Sequence, residues 1–413
     1  MILELMSFDH YSSHIKRNVA LIKTLYEFAA ELSTEAGIQV CNLLQQLLQQ
    51  NSLEYIAAKG DTFLWHNIIL SIANAEQAGP LEMHLNYVLA HIFDNYYHNF
   101  SDGTQLSVSL PQGMCLPKLN IIYKHADVSN KLLTIKKLSK DAAQLSSGPR
   151  TFTMPLTTVA YNKYGNIYLI NLDQASLAIL LANFLPESEI EKMCTINQGW
   201  QSKIVTGLDI IKMVDIHLFN SLQKNLHYII PLILYQEQIR TSFSTAELGS
   251  VIFISDGGTL LDFCEALIHE YYHNELNALL EFKQLFTSAS GNVFYSPWRE
   301  DLRPIGGLVH AIYVFIGVIG FYTQGLNGNY LSDDVRAHRD SIAHKVKVAF
   351  QQVDENALTI TGKQLVIQLY KKFLDLVSEG GINLGLDQAL LNTWNRGYAK
   401  VNLPKFLADI QSL

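Results

Sequence analysis

Apolar residues recur at three- and four-residue steps through most of the first hundred positions. Ile15, Val19, Ile22, Tyr26, Ala29 and Leu32 form one stripe, and the same spacing runs from Ile38 to Leu48, Phe63 to Ala73 and Leu81 to Phe93. That period predicts amphipathic helices, each turning one face to a core. It stops at Asn99–Pro117, where Gly, Pro, Ser and Asp predict a loop with at most a short strand. From Leu119 to Leu172 the runs LNIIYK, TFTMPLTTVAY and NIYLINL predict strands, and LSKDAAQLSSGPR, ending at Arg150, reads as a linker. Helical spacing returns in ASLAILLANF and from Pro186 to about Asn225; HYIIPLILY and SVIFIS then read as short strands. After SVIFIS, Asp256-Gly257-Gly258 marks a turn, and Thr259 with Asp262 three residues on marks the start of a helix. The last third alternates helical stretches with the Gly-rich breaks TQGLNGN and SEGGINLGLD, and no fixed-period repeat argues for a solenoid. The pattern predicts a predominantly helical α+β protein, divided into a helical region over 1–118 and an α+β region over 119–413.

Composition narrows the class. A chain of 413 residues lies near the length at which one core stops growing, so two cooperating parts are expected. Hydrophobic residues make up 48% and charged residues 16%, well under the roughly 25% charged of a typical soluble domain, which demands extensive burial. The 30 basic and 38 acidic residues give a net charge of −8 with no Lys/Arg cluster, which argues against a nucleic-acid partner. Cys41, Cys115, Cys194 and Cys264 are scattered without CxxC spacing, as suits a reducing cytoplasm. The opening MILELMSFDHYSSHIKRN lacks the order of a secretory signal, because its basic residues follow the apolar run. Leu308 to Tyr322 is intensely apolar but contains His310 and is short for a span, so it reads as a buried core helix and no membrane partner is expected.

Candidate chemistry centres on Ala266-Leu-Ile-His-Glu-Tyr-Tyr-His-Asn-Glu-Leu276, which carries HExxH inside a predicted helix. Residues four apart share a helix face, so His269 and His273 can offer two imidazoles to one metal ion. Glu270 is turned about 100° away by the helix pitch; it sits beside such an ion, where a hydrolase keeps the base that activates water. A metal needs a further donor. Leu276 and Leu279 occupy the places of Gly and His in HExxHxxGxxH, leaving Glu300 or, 37 residues beyond His273, His310 as the third ligand. Between the two helices, Tyr295-Ser-Pro-Trp-Arg-Glu-Asp-Leu-Arg-Pro304 supplies Arg299 and Arg303, either of which can grip a carboxylate in a bidentate way.

HEYYH, SPWREDLRP and GGLVHAIYVF together resemble the HExxH-type peptide-modifying enzymes of ribosomal-peptide biosynthesis, described as iron- and 2-oxoglutarate-dependent peptide β-hydroxylases. The similarity covers about His227 to Phe315 and leaves the first 200 residues without a family motif. It implies that His269, His273 and His310 hold Fe(II) and that Arg299 or Arg303 receives 2-oxoglutarate. It further implies that a side-chain β-carbon of a precursor peptide is hydroxylated, with Glu270 orienting a ligand or water. A three-histidine set departs from the usual two histidines and one carboxylate of iron oxygenases. A zinc-dependent metallopeptidase with Glu270 as general base is the alternative that HExxH alone also fits.

Two HxD spacings are weaker signals. His125-Ala-Asp127 follows a predicted strand but lacks the other strands of a barrel oxygenase, and His338-Arg-Asp340 falls in a charged helical stretch that reads as a solvated face. For the peptide, SVIFIS offers an edge for strand addition, and the helical N-terminal third is the expected holder of a leader segment.

Overall fold

The apolar stripes of the first hundred residues become five helices, α1 (His10–Glu31), α2 (Glu35–Gln50), α3 (Leu53–Lys59), α4 (Thr62–Ala73) and α5 (Ala78–Asn95). The structure, a computed structural model, describes residues 10–32, 34–60, 62–109, 115–116, 121–122, 132–139, 142–147, 150–155, 167–169, 193–194, 200–234, 242–246, 248–255, 257–287, 293–298, 301–384, 404 and 407. The described residues are predominantly helical with a few small sheets. The chain divides into two compact units, one formed by Tyr11–Gln201 with Gln223–Gly257, the other by Met1–His10, Ser202–Leu222 and Gly258–Leu413. Strands begin at Gln105, before the boundary expected at residue 118, and the compact units follow this interleaved division.

In the first unit, Leu25, Val40, Leu44, Leu85, Leu89 and Phe93 form the helical core, joined by Leu106, Val108 and Ile135 from strands. Strands β1 (Gln105–Ser109), β2 (Cys115–Leu116), β3 (Ile121–Ile122), β4 (Leu132–Ser139), β5 (Ala142–Ser147) and β6 (Arg150–Pro155) follow. β1, β4, β5 and β6 form an antiparallel sheet in that order, and β2 pairs with β3. The stretch read as a linker is therefore not one. AAQLSS lacks apolar alternation, yet it is a central strand because β4 and β6 satisfy its backbone on both sides. β7 (Tyr168–Leu169), β8 (Met193–Cys194), β9 (Tyr228–Leu234), β10 (Ser242–Phe243) and β11 (Val251–Ser255) make a second sheet. β8 lies within the stretch expected to be helical from Pro186, where pairing with β9 decides the backbone conformation. The run ASLAILLANF lies outside the described residues. β11 is not the free edge expected for peptide addition: β9 pairs along its length on one side, β10 joins it at Phe253 and Ile254 on the other, and all five of its residues are buried.

The second unit contains α6 (Trp200–Val214) and α7 (Ile216–Asn225), apart from their outermost residues, then α8 (Leu260–Phe282), α9 (Ile305–Asn327), α10 (Arg336–Gln352) and α11 (Ile360–Glu379). β12 (Val293–Ser296) and β13 (Asp301–Pro304) form the hairpin between α8 and α9. α8 starts where the sequence places it. The Thr259 side chain accepts the N–H of Asp262 at 3.2 Å and the Asp262 carboxylate accepts the N–H of Thr259 at 2.8 Å, a reciprocal cap that satisfies two end groups. Gly258, at φ +84°, makes the turn into that cap in the left-handed region that favours glycine. Thr259→Ala is expected to destabilise this unit by about 1 kcal/mol, read as a lower urea midpoint at unchanged slope.

α8 and α9 run antiparallel, since rising positions on α8 meet falling positions on α9. Glu265 meets Tyr322, Tyr272 lies against Gly317, and Glu275 meets Tyr313. α9 is, among the described residues, the one helix long and apolar enough to cross a membrane, and 72% of its most apolar window is buried inside the fold.

Candidate metal centre

The i, i+4 spacing on α8 stacks Glu265, His269 and His273 along one face, and the antiparallel α9 brings His310 and Phe315 against it. The Nε2 atoms of His269 and His273 are 3.1 Å apart, and their rings stand edge to face with centroids at 4.7 Å. His310 approaches from α9, its Nδ1 3.2 Å from Nδ1 of His273 and its ring 28° from parallel with that of His273. The three imidazoles thus form a chain with His273 in the middle. Among the described residues, no group of three or more His, Cys, Asp or Glu side chains forms a set that could hold a metal ion. Burial pushes the His310 imidazole down to about 4, so near neutral pH it is uncharged, the form in which an imidazole offers a lone pair.

The fit of a metal can be tested on the histidine pair. Two nitrogens bound to one ion at ~2.1 Å stand ~3.0 Å apart at neighbouring octahedral positions and ~3.4 Å apart at tetrahedral ones. The His269–His273 separation of 3.1 Å lies in this range and is equally the length of a hydrogen bond between the two rings.

Hydrogen-bonded carboxylates flank the pair along α8. Glu265 Oε2 accepts the Tyr322 hydroxyl at 2.6 Å and lies 2.6 Å from His338 Nε2. Glu275 accepts the Tyr313 hydroxyl at 2.7 Å and that of Tyr271 at 3.4 Å. Burial, then the Glu275 charge, holds the Tyr313 phenol well above its ordinary range; Tyr272 is raised by burial, by Glu275 and by Asp215. Glu270 is only 3% exposed, on the helix position next to His269. His338 and Arg339 correct the solvated-face reading. The half-exposed His338 reaches a buried carboxylate 73 residues away, and Arg339 is 1% exposed, bonded to Asp340 and to the carbonyl of Gly380.

Beside His269 the Phe315 ring packs at 5.0 Å between centroids, and Trp298 stacks on Phe315 at 4.6 Å with the planes 3° apart. The Trp298 indole N–H is buried and has no hydrogen-bond partner among the described residues. An orphaned buried donor costs about 1–3 kcal/mol, which a bound acceptor recovers. Sequence reasoning placed Trp298 only as an aromatic within a segment and passed over Phe315; pairing across α9 is what gives both a place.

The segment carrying the two arginines is the β12–β13 hairpin, in which Arg303 faces Phe294 across the ladder. Arg303 is half-buried, and its stem lies along the first turn of α9: a Cβ placed on Gly307 would be 3.7 Å from Arg303 Cβ and 3.9 Å from its Cδ. Gly307 is three residues before His310, so the stem runs on the His310 side of the helix. Arg299, Glu300, His125 and Asp127 lie outside the described residues. No protein-family description matches the chain, and no curated protein is significantly similar to it in sequence.

Proposed function

We propose that the protein is an Fe(II)/2-oxoglutarate-dependent oxygenase that hydroxylates a side-chain β-carbon of a ribosomally made precursor peptide. The observation that carries the reading is the close approach of the HExxH pair, whose His269 and His273 Nε2 atoms stand 3.1 Å apart, near enough to share one ion. His269 and His273 supply the first two donors, and His310 is the third imidazole of the site. With dioxygen, iron and the keto acid together supply oxidative decarboxylation to succinate and insertion of one oxygen atom into a C–H bond.

The chain's own residues do the rest. To Arg303, whose stem lies along the first turn of α9, we assign the bidentate grip on the distal carboxylate of the keto acid. The Trp298 N–H offers a donor to a keto-acid or peptide oxygen, and its stack on Phe315 fixes its plane. The aromatic wall of Phe315 and Trp298 beside His269 sheds water from the reacting carbon. Glu270, buried next to His269, orients a ligand or water.

Protein purified without oxygen and reconstituted with Fe(II) is expected to convert 2-oxoglutarate to succinate with its cognate precursor peptide, and to give a product one oxygen atom heavier. No succinate under any metal condition removes the proposal. Oxygen-independent, zinc-dependent cleavage of the peptide replaces it with hydrolysis. Glu270→Gln separates the two, since it stops a hydrolase that needs Glu270 as base and leaves an oxygenase partly active.

A further inference from the structure

An imidazole carries its two nitrogens on opposite sides of the ring, with lone pairs in the ring plane that diverge. An ion within bonding reach of Nε2 is therefore out of reach of Nδ1 on the same ring. His273 presents Nε2 to His269 and Nδ1 to His310, so the two contacts address different points. We propose that His310 is a positioning residue that acts on the metal through His273, accepting the Nδ1–H of His273 and holding it in the tautomer whose Nε2 is bare toward His269. This rests on the metal-site reading above and changes the part His310 plays in it.

An ion between the two Nε2 atoms requires both to be unprotonated. A neutral His273 then carries its one proton on Nδ1. That N–H faces His310 Nδ1 at 3.2 Å, a hydrogen-bond length, which makes His310 Nδ1 an acceptor for it, with the His310 proton on Nε2. Used in this way, His310 has an N–H but no lone pair left for the ion. Metal-bound histidines commonly give their second N–H to a carboxylate, carbonyl or water, which fixes ring and tautomer. Here a second imidazole fills that place, carried by α9. The antiparallel register that sets Tyr322 on Glu265 and Tyr313 on Glu275 also sets this contact.

The test uses the full chain loaded with Co(II) as the probe. X-ray absorption is expected to count two imidazoles on the ion in the parent and still two in His310→Ala. Co(II) affinity is expected to fall ~10–100-fold in His310→Ala, the ordinary effect of removing an outer partner, and to be largely restored in His310→Gln, whose amide oxygen can accept the same N–H. Three imidazoles in the parent, or one fewer in His310→Ala than in the parent, overturn the assignment even if the site binds metal well. The parent count decides the matter if His310→Ala does not fold. A parent that takes up no Co(II) removes the metal-site reading itself, and this proposal with it.

Discussion

His273→Ala is expected to abolish tight uptake of divalent metal while the fold persists. His273 is the member of the trio with both ring nitrogens engaged, Nε2 toward His269 and Nδ1 toward His310, so its removal breaks both links at once. If the roughly 10–16 kcal/mol of a four-ligand zinc site is shared evenly, one ligand contributes ~2.5–4 kcal/mol. That corresponds to a loss on the order of 10²–10³ in affinity. Equilibrium dialysis against Co(II), followed by elemental analysis, reads it directly. Occupancy in His273→Ala within tenfold of the parent would place the ion elsewhere. His269→Ala should match His273→Ala in this assay, and both should exceed His310→Ala.

The second large effect is expected on stability, at Gly317. A Cβ there would stand 2.0 Å from Tyr272 Cε2, 2.3 Å from its Cδ2 and 2.5 Å from its Cζ, well inside contact distance. The Tyr272 ring has little room to withdraw, because it is 3% exposed and packs edgewise on Tyr271 at 5.4 Å and on Tyr313 at 6.0 Å. Gly317→Ala must then push α8 and α9 apart, at a cost of about 3 kcal/mol, the upper part of the usual overpacking range. Gly320, one turn on, is the control. A Cβ there meets nothing nearer than Leu376 at 3.9 Å, so Gly320→Ala should be neutral or stabilising by up to about 1 kcal/mol. Urea denaturation of the two variants gives the contrast. A Gly317→Ala change below about 0.5 kcal/mol, the range of an ordinary surface substitution, would mean that the helices do not approach as closely as described.

What the sequence could and could not reveal follows from the range of the forces involved. The start of α8 was legible because its signal is local: Thr259, Asp262 and Gly258 lie within five positions and act on one turn of backbone. The His269–His273 pair was legible for the same reason, since helix pitch alone brings the residues together. His310 could be named but its contact could not be foreseen. That contact depends on the register of α8 on α9, which Gly317, Tyr272 and the two glutamate–tyrosine pairs set together. The strand Ala142–Ser147 was misread because its composition carries no period and its partners decide its state. His338 was misread because Glu265, its partner, is 73 residues away in the chain.

The two glutamate–tyrosine bonds bracket the histidines along α8, one before His269 and one after His273. A bracket at each end resists widening of the gap between the helices, and so keeps His310 within hydrogen-bond reach of His273 and denies the His273 ring free rotation.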